Sequence, residues 1–471
     1  MFFSDFFPSY GTIGLILSSG FILMPLALLV VAGIIRKRRA PASSVGWLIG
    51  ILTLPLIGLP LFWFFGNRKI DQIAKTKPHV VLSPEPAAQR FLNPEAVLAA
   101  EHLGPEGITH GNYFKFHEGG EDAYADLIAL IDTAKTSIHI QTYVLKADAT
   151  GTAIIEHLIA RAKEGVEVRL LIDGFGSFHM ARRLLRQLKR AGGKVAFFLP
   201  IWRITLLNRG NLRNHRKIAV FDNQRVFAGG RNLADEYLGP KPNPKRWADF
   251  SFVLDGPAAT HYDEIFRCDW NFAAKDKMPP DAPTAAPSPS AKDGAIVQVV
   301  PSGPDVSDDE LFEGILSFIF AAKKRLWIVS PYFIPNEMLA QALQIALQRD
   351  LDVRVIVPEK SDQILVDLAR GQYLRDLSKL KCKVLLYTGG MVHAKAMLID
   401  DVAATVGSAN FDSRSMFLNF EVSSVIHSKA EIRAVELWIE QLMVQTRPFD
   451  AAAGSRRDTL EGLARLIAPI L

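Results

Sequence analysis

Cysteine is scarce in this chain of 471 residues, which contains only Cys268 and Cys382. Neither belongs to a Cys-x-x-Cys pair or lies beside a histidine pair, so neither a disulfide framework nor a structural zinc site is indicated. The chain also lacks the Gly-x-x-x-x-Gly-Lys-Ser/Thr signature of a nucleotide-binding loop. The sequence therefore indicates neither a disulfide-stabilised protein, nor a structural zinc protein, nor a nucleotide-binding protein of this type.

A strong excess of one charge is also missing, because 54 Lys and Arg residues face 49 Asp and Glu residues, for a net charge of +5. This balance is too even for a nucleic-acid coat, and we expect no nucleic-acid partner. With 49% hydrophobic and 22% charged residues, the chain is able to bury a large core or two. Intrinsic disorder and fibrous repeats are excluded.

Two long stretches without any charged residue lie at the N-terminus, from Phe6 to Ile35 and from Ala40 to Gly66, on either side of Arg36–Arg39. About 20 apolar residues are enough to cross a bilayer. A cleavable signal peptide would carry its positive charge before the apolar run rather than after it. We therefore predict a retained anchor at residues 1–70, a hydrophobic helical hairpin that makes this a multi-pass protein of the cell (inner or plasma) membrane.

The alternative for this region is a hairpin buried in a protein core, which the length of both runs disfavours. The side of the membrane on which the rest of the chain lies stays open. Arg36–Arg39 and the basic residues after Gly66 both favour the cytoplasmic side, and they stand at opposite ends of the second segment.

Beyond residue 80 the chain repeats itself, with a period of about 180 residues. Val166–Ile172 resembles Leu351–Val357, and both read as short β-rich runs. Helix-period segments lie between such runs, at Thr152–Glu164, Met180–Ala191, Asn336–Arg349 and Ile364–Leu380. Strands that alternate with helices predict an α/β fold.

The repeat divides the chain into two homologous halves, residues 71–274 and 296–471. Residues 275–295 between them are rich in Pro, Ala and Ser and are typical of a solvated linker. We expect the two halves to pack about a pseudo-twofold axis, after the anchor at residues 1–70.

The strongest repeat is a polar motif that recurs with the same internal spacing 178 positions later. Each copy has a histidine, a lysine two residues on, an aspartate five residues after the lysine, and a Gly-rich turn that ends in asparagine. Its candidate site residues are His215, Lys217, Asp222 and Asn232 in the first half and His393, Lys395, Asp400, Ser408 and Asn410 in the second. Residues at i and i+2 of an extended segment point the same way, so each half presents one imidazole and one ammonium together.

Two histidines, two lysines and two amides suit displacement at a phosphodiester. Lysine and asparagine donors, with Ser408, hold the non-bridging oxygens of the phosphate. One neutral imidazole attacks phosphorus to form a covalent phosphohistidine, while the other, when protonated, donates its proton to the leaving alkoxide. Because Lys217 and Lys395 supply the positive charge, we expect neither a metal nor another cofactor.

Each histidine needs an acid to fix its tautomer. Asp249, in a Trp-Ala-Asp-Phe run, and Glu421, in a Leu-Asn-Phe-Glu run, lie at suitable downstream positions. Asp222 and Asp400 are grouped with the catalytic residues because they belong to the motif, although orienting a loop or a lysine suits them better than contact with substrate.

The doubled motif resembles that of the phospholipase D superfamily, and the rest of the chain resembles the bacterial cardiolipin synthases within it. Segments along the whole chain carry this resemblance: Asn214–Ile218, Gly229–Asn232, Asp269–Trp270, Ser330–Pro335, Asn410–Ser415 and Leu466–Leu471. One departure is Gly230, where many members of the superfamily have serine. The resemblance implies phospholipase D-like halves with mixed β-sheets flanked by helices.

The resemblance further implies transfer of a phosphatidyl group from one phosphatidylglycerol to another, which gives cardiolipin and glycerol, with His215 as the nucleophile and His393 as acid and base. Phosphatidylglycerol and membrane lipids are then the partners. A membrane-anchored phospholipase D that hydrolyses head groups uses the same residues and stays an alternative, with a nuclease and a non-catalytic lipid-binding protein less favoured. The oligomeric state is not indicated.

Overall fold

The computed structural model describes residues 107–177, 182–200, 212–279, 294–306 and 309–452. It also describes residues 41–54 and short pieces at 30, 56, 58–59, 62, 77, 79–82, 92, 103, 460–462 and 464. These residues fall into two units, one before residue 71 and one after it.

The first unit contains helix α1, Pro41–Thr53, within the second predicted hydrophobic segment. Ile51 of this helix is buried against Leu59 and packs with Trp47 and Phe62. No helix among the described residues is long and apolar enough to cross a membrane. The first predicted segment lies outside the described residues apart from Val30, so the hairpin stays a prediction.

The second unit is an α/β structure. Its described helices are α2 (Gly120–Thr133), α3 (Ala149–Lys163), α4 (Arg182–Arg190), α5 (Ala258–Ala273), α6 (Glu310–Ala321), α7 (Glu337–Gln348), α8 (Ile364–Lys379), α9 (Ser413–Phe417) and α10 (Lys429–Val444). Four of them, α3, α4, α7 and α8, coincide with the helices predicted from periodicity. Side-chain caps fix three starts: Asp148 accepts from the Gly151 amide, Asn336 accepts from the Leu339 amide, and Asp412 accepts from the Ser415 amide.

The described strands carry fewer polar residues than the helices. They are β1 (Ile108–His117), β2 (Ser137–Thr142), β3 (Glu167–Asp173), β4 (Lys194–Phe198), β5 (Ile218–Phe221), β6 (Arg225–Gly229), β7 (Ser251–Asp255), β8 (Ala295–Ser302), β9 (Arg325–Val329), β10 (Phe333–Ile334), β11 (Asp352–Pro358), β12 (Lys383–Tyr387), β13 (Ala396–Ile399), β14 (Ala403–Gly407), β15 (Phe411–Asp412), β16 (Glu421–Ile426) and β17 (Thr446–Pro448). Every residue of β5 and β13 is buried, as the apolar run after each lysine predicts.

Fifteen of these strands form one sheet in the order β17-β12-β11-β9-β13-β14-β16-β8-β1-β7-β6-β5-β2-β3-β4. Strands β2, β3 and β4 are parallel to one another, as are β9, β11 and β12, whereas β5 and β13 are antiparallel to their neighbours. The prediction of an α/β fold with mixed pairing is therefore confirmed. The two predicted sheets are joined into one, because β1 pairs with β8.

The strand order runs alike from the two sides of this sheet. From β4 inward it is β3, β2, β5, β6, β7 and β1, and from β12 inward it is β11, β9, β13, β14, β16 and β8. Apolar clusters cover the sheet in three places, one beside β2 and β3, one beside β9 and β11, and one shared by strands of both sets. The shared cluster includes Phe250 and Trp438 of α10, whose rings stack 4.3 Å apart. Residues 280–293 of the predicted linker lie outside the described residues.

Candidate active site

His215 and His393 lie just before β5 and β13, respectively. Strand β5 runs antiparallel to β2, with Ile218 opposite Gln141, and β13 runs antiparallel to β9 in the same way. The residues before β5 and β13 therefore reach the carboxyl ends of β2 and β9. Ligand sites of open α/β sheets commonly lie at the carboxyl ends of the strands.

The backbone of each histidine segment pairs with a segment from the other half of the sequence. The His215 amide donates to the Phe420 carbonyl at 2.9 Å, and the His393 amide donates to the Ala248 carbonyl at 2.7 Å. Phe420 immediately precedes Glu421, and Ala248 immediately precedes Asp249. Each histidine is thus brought beside an acid that is distant in sequence.

The side chains complete these crossed pairs. Nδ1 of His215 lies 2.9 Å and 3.0 Å from the two carboxylate oxygens of Glu421. Nδ1 of His393 lies 2.8 Å from Oδ2 of Asp249. All four residues are buried. An ionised carboxylate only accepts hydrogen bonds, so Nδ1 carries the proton in each ring and Nε2 keeps its lone pair.

Both acids are ionised despite their burial. Burial acts to raise the pKa of Glu421, but His215 and Lys217 together with the bond from Ser408 hold this pKa below its usual range. Burial acts in the same direction on Asp249, whose pKa the neighbouring His393 holds down. The pairs are consequently anionic carboxylates that face imidazoles.

The imidazoles themselves are neutral at neutral pH. Burial lowers the pKa of His215 to about 4, although Glu421 opposes the change. Burial, and next the charge of Lys395, lower the pKa of His393 to about 3. Two neutral imidazoles that each present an Nε2 lone pair suit a nucleophile and a base.

The two lysines lie beside the rings in a buried setting. Nζ of Lys217 donates to the His215 carbonyl at 2.6 Å, and Nζ of Lys395 lies 2.9 Å from Nε2 of His393. Burial lowers the pKa of Lys395 to about 8 and that of Lys217 well below its usual value. The charge of each lysine also acts on the pKa of the histidine in the other half. The two motif copies therefore form one electrostatic site.

The Gly-rich turns differ in what their polar groups contact. Ser408 is fully buried and donates to Glu421 at 2.5 Å. Because its one hydroxyl proton is used in this bond, Ser408 orients Glu421 rather than donating to a substrate phosphate as predicted. Asn232 accepts from the Val144 amide at 3.1 Å and hydrogen-bonds the Tyr237 side chain. Oδ1 of Asn410 is buried without a hydrogen-bond partner among the described residues.

Gly230 explains why the two turns differ. A Cβ at this position would lie 2.1 Å from Oδ1 of Asp249, closer than any real contact. In the other turn Ser408 stands at the corresponding position and donates to Glu421. The glycine in the first turn therefore leaves space for the Asp249 carboxylate that contacts His393.

Asp222 and Asp400 do not join the histidines. Each lies past the far end of its strand with a positive φ, 54° and 47°, and accepts from three successive backbone amides. Those amides belong to 135–137 for Asp222 and to 323–325 for Asp400. Their grouping with the catalytic residues is therefore corrected, since these carboxylates hold the turns that lead into β2 and β9.

Aromatic residues that the sequence analysis did not assign surround both imidazoles. Tyr143 lies edge-on to His215, with ring centroids 4.9 Å apart. Tyr237 and Trp247 lie 5.0 Å and 5.5 Å from the His393 ring. Tyr143 could have been found from its position in the sequence. It directly follows β2, and ligand sites of such sheets lie at the carboxyl ends of the parallel strands.

A buried ion cluster behind His215 also went unassigned. Arg216 donates to both oxygens of Asp269, at 2.8 Å and 2.9 Å, and to Asp305. Lys77 is fully buried and binds the same two acids. The corresponding residue behind His393 is Ala394. The cluster therefore fixes the backbone at one histidine only.

No group of three or more His, Cys, Asp or Glu side chains among the described residues could hold a metal ion.

The chain matches the protein family described as "Cardiolipin synthase, PLD-like domain" over residues 127–270 and 315–443. Residues 26–67 match a second family, described as "Phospholipase D-nuclease N-terminal". Both matched segments of the first family contain one copy of the His-x-Lys motif.

Curated relatives extend over nearly the whole chain. It is 33% identical to cardiolipin synthase 1 of Bacillus cereus, with 92% of this chain and 90% of that protein covered. It is 32% identical to the major cardiolipin synthase ClsA of Bacillus subtilis, with 98% and 100% covered. The fold is similar to that of a phosphatidylserine synthase from Haemophilus influenzae, with a TM-score of 0.59 over 85% of this chain and 99% of that chain, at 16% identity.

Proposed function

The chain belongs to the cardiolipin synthase family of phospholipase D-like proteins, and from this membership we propose that it transfers a phosphatidyl group between two phosphatidylglycerol molecules. The products are cardiolipin and glycerol. The observation that carries the proposal is the pair of crossed contacts, His215 with Glu421 and His393 with Asp249, each flanked by a buried lysine.

In the first half-reaction, Nε2 of His215 attacks the phosphorus of one phosphatidylglycerol. The P–N bond forms as the P–O bond to the glycerol head group breaks, and His393 donates a proton to the leaving oxygen. Glu421 stabilises the positive charge that develops on the His215 ring. Lys217 and Lys395 bind the non-bridging oxygens, together with amide donors from Asn232 and Asn410.

His393 must be protonated for this step, although its pKa in the free site is about 3. The bound phosphodiester brings a negative charge between the two imidazoles, which raises the pKa of both. Substrate binding and protonation of His393 are therefore coupled.

In the second half-reaction, His393 takes the proton from a hydroxyl group of a second phosphatidylglycerol. The oxygen attacks phosphorus, the P–N bond to His215 breaks, and cardiolipin leaves. One phosphodiester is exchanged for another, so the overall free-energy change is small and no nucleotide is consumed. Neither half-reaction requires a metal, because the lysines balance the charge of the phosphate.

We also propose that two homologous halves, 71–274 and 296–471, are related by a pseudo-twofold axis that passes between His215 and His393. The strand order that runs alike from both sides of the sheet supports this arrangement. The family match in two separate segments supports it as well. Residues 275–295 then serve as the linker.

Two hydrophobic segments within residues 1–70 anchor the protein in the cell membrane, in our proposal, and keep the site near its lipid substrates. Their uncharged runs and the family match at 26–67 support the anchor. Large apolar side chains after the parallel strands support approach of a lipid surface to the site edge. Phe175 after β3 is 57% exposed, and Ile364 and Leu365 after β11 are 78% and 51% exposed.

The test is to incubate the detergent-solubilised protein with pure phosphatidylglycerol and to separate the lipid products. Cardiolipin and glycerol should form, and both should be absent with His215→Ala and His393→Ala. Phosphatidic acid without cardiolipin would instead make the protein a hydrolase with the same two-histidine site. A radiolabelled phosphatidyl adduct on the His393 peptide would reverse the roles of the two histidines, and inhibition by DNA would favour a nuclease.

A further inference from the structure

The surroundings of His393 contain a carboxylate that the proposed reaction does not use. Asp362 lies in the connection between β11 and α8, and its Oδ1 accepts a hydrogen bond from the Tyr332 hydroxyl at 2.7 Å. Asp362 is exposed, whereas Asp249, which binds His393, is buried. Asp362 thus stands where solvent or a ligand reaches it.

Tyr332 is fixed beside the Gly-rich turn of the second motif. Ser330 donates to the Tyr332 carbonyl at 2.7 Å and accepts from the Phe411 amide at 3.0 Å. Strands β10 and β15 pair in parallel, with Phe333 opposite Phe411. The residues just before them, Tyr332 and Asn410, are therefore neighbours across this short ladder.

Electrostatic effects place Asp362 on the His393 side of the site. Burial lowers the pKa of Lys395 to about 8, and Asp362 is one of the acids that oppose this change. Burial raises the pKa of Tyr237, and Asp362 contributes to the same shift. The Tyr237 ring is the one that lies 5.0 Å from His393. Asp362 thus acts electrostatically on Lys395 and Tyr237, which both lie beside the His393 ring.

The corresponding place on the His215 side is different. Asp173 at the end of β3 is buried, and its oxygens accept from the backbone amides of Phe175, Gly176 and Asn214. Burial and Asp173 raise the pKa of Tyr143 to about 12, while Arg213 and Arg414 oppose this change. The carboxylate on the His215 side is thus buried and bound by backbone amides, whereas Asp362 on the His393 side is exposed.

A carboxylate beside a phosphodiester site repels the phosphate, and such a group is useful where the ligand offers hydroxyl donors instead. The alcohol that leaves and the alcohol that attacks both lie on the side of His393, opposite the nucleophile. A glycerol head group carries hydroxyls on neighbouring carbon atoms. While His393 contacts the reacting hydroxyl, the adjacent one is close enough to bind a second acceptor.

We propose that Asp362, held in place by Tyr332, forms a subsite that accepts a hydrogen bond from a non-reacting hydroxyl of the head-group alcohol. The subsite takes a vicinal diol such as glycerol and disfavours water and monohydric alcohols. This inference rests on the proposed function and names the part of the same site that selects the acceptor.

The experiment measures a product ratio rather than a rate. Phosphatidylglycerol is supplied with a fixed excess of ethanol, and cardiolipin and phosphatidylethanol are quantified from the same reaction. Both products arise from one phosphohistidine, so their ratio does not depend on the amount of active enzyme. Asp362→Asn should lower the ratio of cardiolipin to phosphatidylethanol about tenfold, because a hydrogen bond to a charged acceptor is lost.

Tyr332→Phe leaves the carboxylate present but releases its position, and the same ratio should fall by a smaller factor. Asp376→Asn is the matched control, because Asp376 is a partly exposed acid on α8 that pairs with Lys379. Its ratio should equal that of the wild type. Asp362→Glu, which restores the charge, should recover part of the selectivity.

Unchanged ratios in both Asp362→Asn and Tyr332→Phe, with cardiolipin still formed, would overturn the subsite while leaving the transferase in place. A wild-type protein that makes phosphatidylethanol and phosphatidic acid but no cardiolipin overturns the proposed function, and the subsite with it. That failure is seen before any variant is compared. If Asp362→Asn yields no product, the Tyr332→Phe ratio decides the outcome.

Discussion

His393 and Asp249 meet through Nδ1 and Oδ2 at 2.8 Å, although 144 residues separate them in the chain. The reciprocal pair, His215 and Glu421, spans 206 residues. Each imidazole takes its carboxylate from the other half of the sequence. Neither half alone therefore supplies both a motif histidine and the carboxylate that binds it, which ties activity to the packing of both halves.

The crossed carboxylates should be needed for turnover but not for folding. Asp249→Asn and Glu421→Gln should each lower the turnover of phosphatidylglycerol by about 100-fold or more, because an amide neither fixes the imidazole tautomer nor stabilises an imidazolium. Thermal unfolding midpoints should stay close to that of the wild type. Glu440→Gln, at a partly exposed position of α10, serves as the control. Normal turnover in the two amide variants would remove this role.

Activity should decline in alkaline solution as Lys395 loses its proton. Burial places the pKa of Lys395 at about 8, so the ammonium is present below this pH and is lost as the pH rises through it. The free enzyme then lacks a cation for the phosphate, and kcat/KM should fall above about pH 8. The decline in kcat should come at higher pH, because the bound phosphate raises the pKa of the lysine.

Lys395→Arg tests this assignment, since a guanidinium keeps its charge throughout this range. The alkaline decline in kcat/KM should move to higher pH, even where altered geometry lowers the absolute rate. A decline at an unchanged pH would assign it to another group.

Asp222 should contribute to stability rather than to chemistry. Asp222→Ala leaves the amides of 135–137 without their acceptor and puts alanine at a φ of 54°. The free energy of unfolding should drop by about 1–3 kcal/mol in denaturant titrations. Turnover per folded molecule should stay within about threefold of the wild type. Lost turnover at unchanged stability would return Asp222 to the catalytic residues.

Gly230 should be intolerant of a side chain because of its contact with Asp249. In Gly230→Ala the added Cβ would lie 2.1 Å from Oδ1 of Asp249, so the carboxylate has to move away from His393. Turnover should fall about tenfold or more. Gly119→Ala is the matched control, because its Cβ would meet only ordinary contacts. Equal activity in both variants would show that Asp249 is free to shift.

The sequence alone determined the features that depend on local spacing. Strand and helix periodicity predicted the α/β class and the four helices α3, α4, α7 and α8, since side-chain patterns along a segment reflect which face it buries. The doubled motif predicted that His215, Lys217, His393 and Lys395 share one site. Within each copy the histidine and the lysine are two residues apart, so their relation to each other does not depend on how the halves pack.

Tertiary structure decided the features that depend on register between distant segments. The sequence proposed Asp249 and Glu421 as acids but did not assign each to the histidine of the other half, which follows from the backbone pairing of Ala248 and Phe420. It also placed Asp222 with the histidines, whereas strand β5 separates them by its full length. Contacts between residues more than 100 positions apart are set by the order and pairing of the strands, and local sequence patterns determine neither.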